Sequence, residues 1–226
     1  MATVRVEEYL EVIYNLTMED EPVIAARLAE KFDVSAPTVS EMLKRLQRDG
    51  LVEVLANRHV VLTARGREVA EDTLRRHRLS ERFLSQTLGM DWCQAHEEAH
   101  VFQRGLTPAL EERMMAVLGD PETCPHGNPI PRAGRDPLQY LRERNAVRLS
   151  TVPEHTPAEV ICISEVVEDE SELLRYLGDR AIKPGRTLVP IERAPGSGTL
   201  SVRVGDADPV MIDPRVAEKI WVRRLN

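Results

Sequence analysis

Between Arg76 and Gln103 the chain carries two segments whose residues could hold a metal ion. The first, RHRLSERFL, sets His77 and Glu81 four residues apart; the second, AHEEAHVFQ, sets His96 and His100 four apart with Gln103 three further on. Residues at these spacings stack along a helix, so each set would share one helical face. Imidazoles and a carboxylate brought together by two packed helices make a divalent-cation site. The plain alternative is a pair of amphipathic helices with solvated histidines. The second pair and the segments on either side speak for chemistry.

The elements that must position these residues are readable upstream. Residues 6–18 (VEEYLEVIYNLTM) predict a helix whose apolar stripe is Tyr9, Leu10, Ile13, Tyr14 and Leu16, with Glu7, Glu8 and Glu11 off the stripe. Residues 23–32 predict a second, short helix, and Asp33-Val34 a tight turn. Ser35 caps a third helix with Pro37 in its first turn, running to Asp49 and stopped by Gly50. Two helices joined by a brief turn form a helix-turn-helix rather than an ordinary helical hairpin if the second exposes a reading face. Here Val39, Leu43 and Leu46 would face the core, and Ser35, Ala36, Pro37, Thr38, Ser40 and Glu41 would face outward, small enough to enter a major groove. LVEVL, the turn ANRH and VVLT then predict a β-hairpin, which makes the module a winged helix. Arg58 and His59 fall at the wing tip, where a phosphate or minor-groove contact is expected, and Lys44, Arg45 and Arg48 give the third helix a basic edge.

Downstream, Thr63 caps a long helix ending at Gly89, and a shorter one from Asp91 carries both His96 and His100. Thr107-Pro108 opens another, ended by Gly119. Leu106, Leu110, Met114, Met115 and Leu118 offer more apolar surface than a winged helix needs, as a dimerisation module would. Residues 120–137 are dense in Pro and Gly and predict no regular element. From Ala146 onward EVICISEV, TLVPIER, TLSVRVG, PVMI and KIWVRRL predict a small β-barrel, interrupted by a helical turn or two that exposes Asp169, Glu170 and Glu172. The fold class is therefore mainly α with a small β portion, in three parts: 1–73, 74–137 and 138–226.

The formal charge of −7 argues against non-specific affinity for nucleic acid, though not against a local basic face that a bound cation could assist. No apolar run approaches ~18 residues and the first residues lack a signal pattern, so a cytoplasmic protein with no membrane partner is expected. Cys93, Cys124 and Cys162 are odd in number and form no CxxC, which supports neither a disulfide framework nor a zinc finger.

On EYLEVIYNL, SAPTVSEMLKRLQRDGLV, TARGREVA with HRLSERFL, HEEAHVFQ and CPHGNPIP, the chain resembles the diphtheria toxin repressor family of iron- and manganese-dependent regulators, over nearly its whole length. The resemblance implies an N-terminal winged helix-turn-helix, a helical dimerisation domain and a C-terminal SH3-like barrel. It implies an ancillary metal position at His77, Glu81 and His96 with barrel donors at Asp169 and Glu172, and an anion held by Arg78 and Asn128. The primary position departs from the family: iron-type members have Met at Glu8, Cys at His100, Glu at Gln103 and His at Arg104. Manganese-type members have carboxylates at Glu8, Glu11 and His100. The site rebuilt here would use Glu8, Glu11, His100 and Gln103, since Arg104 cannot bind a cation. The implied function is a homodimeric repressor that binds palindromic double-stranded operator DNA when loaded with Mn(II), or alternatively Fe(II). DNA contacts fall to Ser35, Ala36, Pro37, Thr38, Ser40, Glu41, Lys44, Arg45, Arg48 and Arg58. The competing readings are a two-His-one-carboxylate metalloenzyme, which would need open coordination positions and a substrate pocket, and a winged helix that binds protein.

Overall fold

Apolar period and helix caps decide the N-terminal unit. In the computed structural model, residues 4–19, 21–132, 134–135, 137–165 and 171–225 are described, and the chain divides into one unit ending at Arg76 and another beginning at His77. In the first unit, α1 (Val4–Met18) buries Val6, Tyr9, Leu10, Ile13, Tyr14 and Leu16. Helix α2 (Ala25–Lys31) adds Leu28. Helix α3 (Ala36–Arg48) adds Val39, Leu43 and Leu46, and the Ser35 hydroxyl at its start accepts from the Thr38 N–H at 3.4 Å. Strands β1 (Val52–Val54) and β2 (Val60–Leu62) pair antiparallel, Val52 opposite Leu62 and Val54 opposite Val60. Arg58 closes the wing in the left-handed region at φ 65°, beside an Asn57 side chain that accepts from the His59 N–H at 3.1 Å.

Helix α4 (Ala64–Leu88) starts where the Thr63 hydroxyl accepts from the Gly66 N–H at 3.0 Å. A Cβ at Gly66 would lie 1.8 Å from the Leu51 carbonyl oxygen, so only glycine lets this first turn approach the hairpin so closely. The helix gives Ala70 and Leu74 to the N-terminal core and then enters the second unit.

There it is joined by α5 (Trp92–Phe102), capped by the Asp91 carboxylate accepting from the Cys93 N–H at 2.9 Å, and by α6 (Pro108–Val117), capped by Thr107. Leu79, Met114 and Leu118 form one apolar cluster; Leu84, Ala95 and Ala99 form another. Leu88, Val101, Leu110 and Val117 on these helices stay exposed. The β portion has β3 (Val147–Arg148), β4 (Ala158–Ile163), β5 (Thr187–Arg193), β6 (Leu200–Val204), β7 (Val210–Ile212) and β8 (Ile220–Arg224). They form one sheet in the order β3-β8-β4-β5-β6-β7, with every neighbouring pair antiparallel. Bulges at Val160/Cys162 and Pro190/Glu192 bend it around a core that includes Leu149, Ile163, Leu188, Val202 and Val222. Trp92 and Cys93 of α5 belong to this same core.

Two features were not expected from the sequence. Helix α7 (Pro137–Glu143) follows the Pro-rich stretch, and within that stretch Thr123 and Pro129 form a β-bridge. Leu138, Tyr140 and Leu141 pack against Ile161 and Cys162, so tertiary burial rather than local propensity makes α7 helical. The expected helix between the first strands is Ser171–Asp179, named α8 here; Asp169 and Glu170 lie outside the described residues. Among the described residues no helix is long and apolar enough to cross a membrane.

Candidate metal centre

Three stretches of the second unit converge on one buried carboxylate. Helix α4 supplies His77 and Glu81, one turn apart; α5 supplies His96 and His100; the turn after α6 supplies His126. The Glu81 Oε1 lies 2.7 Å from His96 Nδ1, 3.3 Å from His77 Nε2 and 3.4 Å from His126 Nδ1. His77 Nε2 and His96 Nδ1 are 3.3 Å apart, and the His100 ring centroid is 4.6 Å from that of His77 and 4.9 Å from that of His96. Potential ligand atoms fall into two overlapping triads that share His96: His77, His96, His100 and Glu81, His96, His126. Cys124 Sγ stands 3.7 Å from His126 Nδ1.

Burial makes this arrangement costly unless something charged compensates it. Glu81 and His126 are 0% exposed and His77 1%. Burial pushes the Glu81 carboxyl up, but His126 and then His77 beside it outweigh that and hold it well below the usual carboxylate range. Its Oε2 is buried and has no hydrogen-bond partner among the described residues. A buried carboxylate oxygen left this way among imidazoles, with a thiol at the edge, is the donor chemistry that a divalent first-row cation satisfies. The residues therefore fit a metal.

The turn that brings His126 and Cys124 is clamped to the sheet. The Ile163 N–H donates to the His126 carbonyl at 2.9 Å, and the Asn128 amide donates to the Ile163 carbonyl at 2.7 Å. Gly127 sits at φ 89°, and a Cβ there would be 2.1 Å from the Ile161 carbonyl oxygen. Arg78 donates to the Glu165 carboxylate at 2.5 Å and to the Pro129 carbonyl. Arg78 and Asn128, the expected anion ligands, thus both join this turn to β4 and the residues after it. Glu165 is the buried carboxylate that the β portion brings to Arg78, and among the described residues its Oε2 has no hydrogen-bond partner. Glu172, an expected barrel donor, is exposed on α8, and Asp169, the other, lies outside the described residues.

Of the remaining expected donors, Glu8 and Glu11 are half-buried on α1 of the N-terminal unit. In the second unit, Gln103 opens a short turn after α5 with its Oε1 buried and lacking a hydrogen-bond partner among the described residues. His126, a potential ligand of the second triad, and Cys124 beside it were not among the expected donors. They stand two apart in CPHGNPIP, a spacing with no helical logic, and the turn attached to β4 sets His126 against Glu81 and Cys124 against His126.

In the N-terminal unit the expected reading face is exposed: Ser35, Ala36, Pro37, Thr38, Ser40, Glu41, Lys44, Arg48 and Arg58, with Arg45 half-buried. Lys44 pairs with Glu41 at 2.7 Å, Arg48 with Asp49 at 3.1 Å, and Arg45 with Asp49 at 3.8 Å. Exposed pairs of this kind are weak and break readily for a phosphate.

Residues 1–60 match the family model "Iron dependent repressor, N-terminal DNA binding domain", 63–132 match "Iron dependent repressor, metal binding and dimerisation domain", and 147–224 match the FeoA domain. Over 224 residues the chain is 37% identical to the iron-dependent repressor IdeR of Mycobacterium tuberculosis strain H37Rv, covering 97% of this chain and 96% of that protein. It is 34% identical to the diphtheria toxin repressor of Corynebacterium diphtheriae over the same shares. Its structure is similar to that of the manganese regulator SloR (TM-score 0.80, 31% identity, 97% of this chain and 98% of that one). It is also similar to a manganese-dependent transcriptional repressor in complex with manganese (TM-score 0.80, 33% identity, 97% and 100%).

Proposed function

The chain belongs to the diphtheria toxin repressor family of metal-dependent transcriptional repressors, and we propose that it binds a palindromic operator as a homodimer when Mn(II) occupies the centre around Glu81. The convergence of His77, His96 and His126 on one buried carboxylate carries this reading. A divalent ion there supplies the positive charge that the buried Glu81 oxygens need. Glu81, His96 and His126 would hold it with Cys124 at the edge, His77 and His100 would line the adjoining triad, and Glu165 would brace the arrangement through Arg78. Glu8, Glu11 and Gln103 remain candidate oxygen donors.

The ligands sit on α4, on α5 and on the turn attached to β4, so occupancy would fix these elements against one another. Two winged helices read half-sites on one face of a duplex only at a set spacing. Selecting one arrangement of the helices that carry the dimer's apolar surface is then enough to favour DNA binding. Ser35, Pro37 and Thr38 would meet base edges, with Lys44, Arg48 and Arg58 on phosphates. Such a regulator works in the cytoplasm.

A second reading of the metal rests on the donors themselves. The triads are richer in nitrogen than the sequence indicated, and imidazole suits iron better than it suits manganese. The test is operator binding by fluorescence anisotropy with chelator, with Mn(II) and with anaerobic Fe(II). Equal binding with chelator overturns metal dependence. A preference for iron of more than about tenfold, roughly 1.4 kcal/mol, decides for the second reading. Glu8→Met should move the balance towards iron if Glu8 is a ligand.

A further inference from the structure

The Ile163 N–H of β4 holds the His126 backbone, and the His126 ring meets Glu81 and Cys124 through Nδ1. An imidazole ring has a broad, roughly two-fold torsion about its last side-chain bond. Trp92 stacks against that ring. The indole and the imidazole are stacked with centroids 5.0 Å apart and planes 30° apart, an offset geometry favourable for aromatic pairs. In that plane Nδ1 of His126 faces Glu81 at 3.4 Å and Cys124 Sγ at 3.7 Å.

Trp92 lies in α5, between the two groups of residues it connects. It is 5% exposed and belongs to the core formed by Leu174, Leu177, Val202 and Val222 of the β portion. A Cβ at Gly178 of α8 would be 2.4 Å from its Nε1, so α8 accommodates the indole only because residue 178 is glycine. Lys183 Nζ rests 4.9 Å from the ring centroid. None of these groups is a metal donor in either triad. The chain of contact runs from Gly178 to Trp92, from Trp92 to His126, and from His126 to Glu81.

We propose that Trp92 is a positioning residue of the metal centre: it sets the His126 ring for coordination and transmits occupancy into the core of the β portion. The proposal rests on His126 being a ligand, as the proposed function has it. Partners that orient a ligating histidine typically contribute about 10–100-fold in metal affinity. Trp92→Phe keeps a stacking face, whereas Trp92→Leu removes it while leaving an apolar side chain.

The experiment uses the full chain and Mn(II) alone as probe. With Trp221→Phe, Trp92 becomes the sole tryptophan. One equivalent of Mn(II) should quench its emission, and adding His126→Gln should abolish that response. By calorimetry, Trp92→Leu should bind Mn(II) about 10-fold or more weakly, and Trp92→Phe within about threefold of wild type. A Trp92 signal unmoved by full Mn(II) uptake overturns the proposal, and so does Trp92→Leu binding as tightly as wild type. The emission test stands even if Trp92→Leu fails to fold. If the wild-type chain takes up neither Mn(II) nor Fe(II), the metal reading fails and this proposal with it. Uptake without a Trp92 response removes this proposal alone.

Discussion

The winged helix and the candidate metal centre are built on opposite principles. In the N-terminal unit the working residues are exposed and the buried ones are apolar: Val39, Leu43 and Leu46 point in from the same helix whose Thr38, Ser40 and Glu41 point out. In the candidate metal centre the potential ligands are themselves buried, with Glu81 beside three imidazoles. The first is stabilised by hydrophobic burial whether or not its ligand is present. The second places polar groups where water cannot reach them, so a cation offsets a desolvation cost already incurred. Binding free energy in such a site becomes folding free energy, and that is how a metal can switch a structure. A surface that reads DNA has no comparable leverage over the fold beneath it.

Several substitutions break or sharpen this contrast. The largest effect is expected from Leu46→Ala. It empties a fully buried position and should cost about 2–5 kcal/mol, read from urea unfolding. Next comes Glu81→Gln. Mn(II) affinity by calorimetry should fall at least by the roughly 10–100-fold that follows loss of a ligand's partner, while the fold is kept. The same variant tests the pH dependence of the metal-free chain. The Glu81 carboxyl is held well below its ordinary value, since His126 and His77 overcome the opposing effect of burial. Its stabilising contribution is therefore present above about pH 4.3, the ordinary glutamate value, and is lost as pH falls through the depressed folded value. Acid unfolding followed by circular dichroism should accordingly be shallower for Glu81→Gln than for wild type in that window.

Smaller effects are expected on the reading face. Ser35→Ala removes a helix cap whose hydrogen bond is long, 3.4 Å, so the thermal-melt cost should sit near the low end of the usual range, about 0.5 kcal/mol. Glu41→Gln should leave stability unchanged within about 0.5 kcal/mol, because its pair with Lys44 is exposed. It should instead change base preference. A carboxylate accepts from cytosine N4, whereas an amide can pair with adenine through two hydrogen bonds. Binding-site selection that returns one preferred sequence for both proteins removes Glu41 from readout.

The difference between the two regions also explains which parts of the protein the sequence by itself determined. Helices α1 to α6, the caps at Ser35, Thr63 and Thr107, the wing and five of the sheet's strands follow from local pattern. Periodicity and capping act over a few residues, and the structure keeps them with most ends moved by a residue or two, although β4 stops at Ile163 within the expected EVICISEV. His77 with Glu81, and His96 with His100, were legible for the same reason, since each pair lies within one helix. Only tertiary structure decided the rest. Helix α7 forms because Leu138, Tyr140 and Leu141 find Ile161 and Cys162. Arg78 meets Glu165, 87 positions away, which no local rule connects. His126 reaches Glu81 because a Pro/Gly-rich turn is hydrogen-bonded to β4, and an indole from α5 stacks on its ring. A helix repeats its own geometry and so announces which residues share a face. A turn has no period, and the direction its side chains take is set by whatever it packs against.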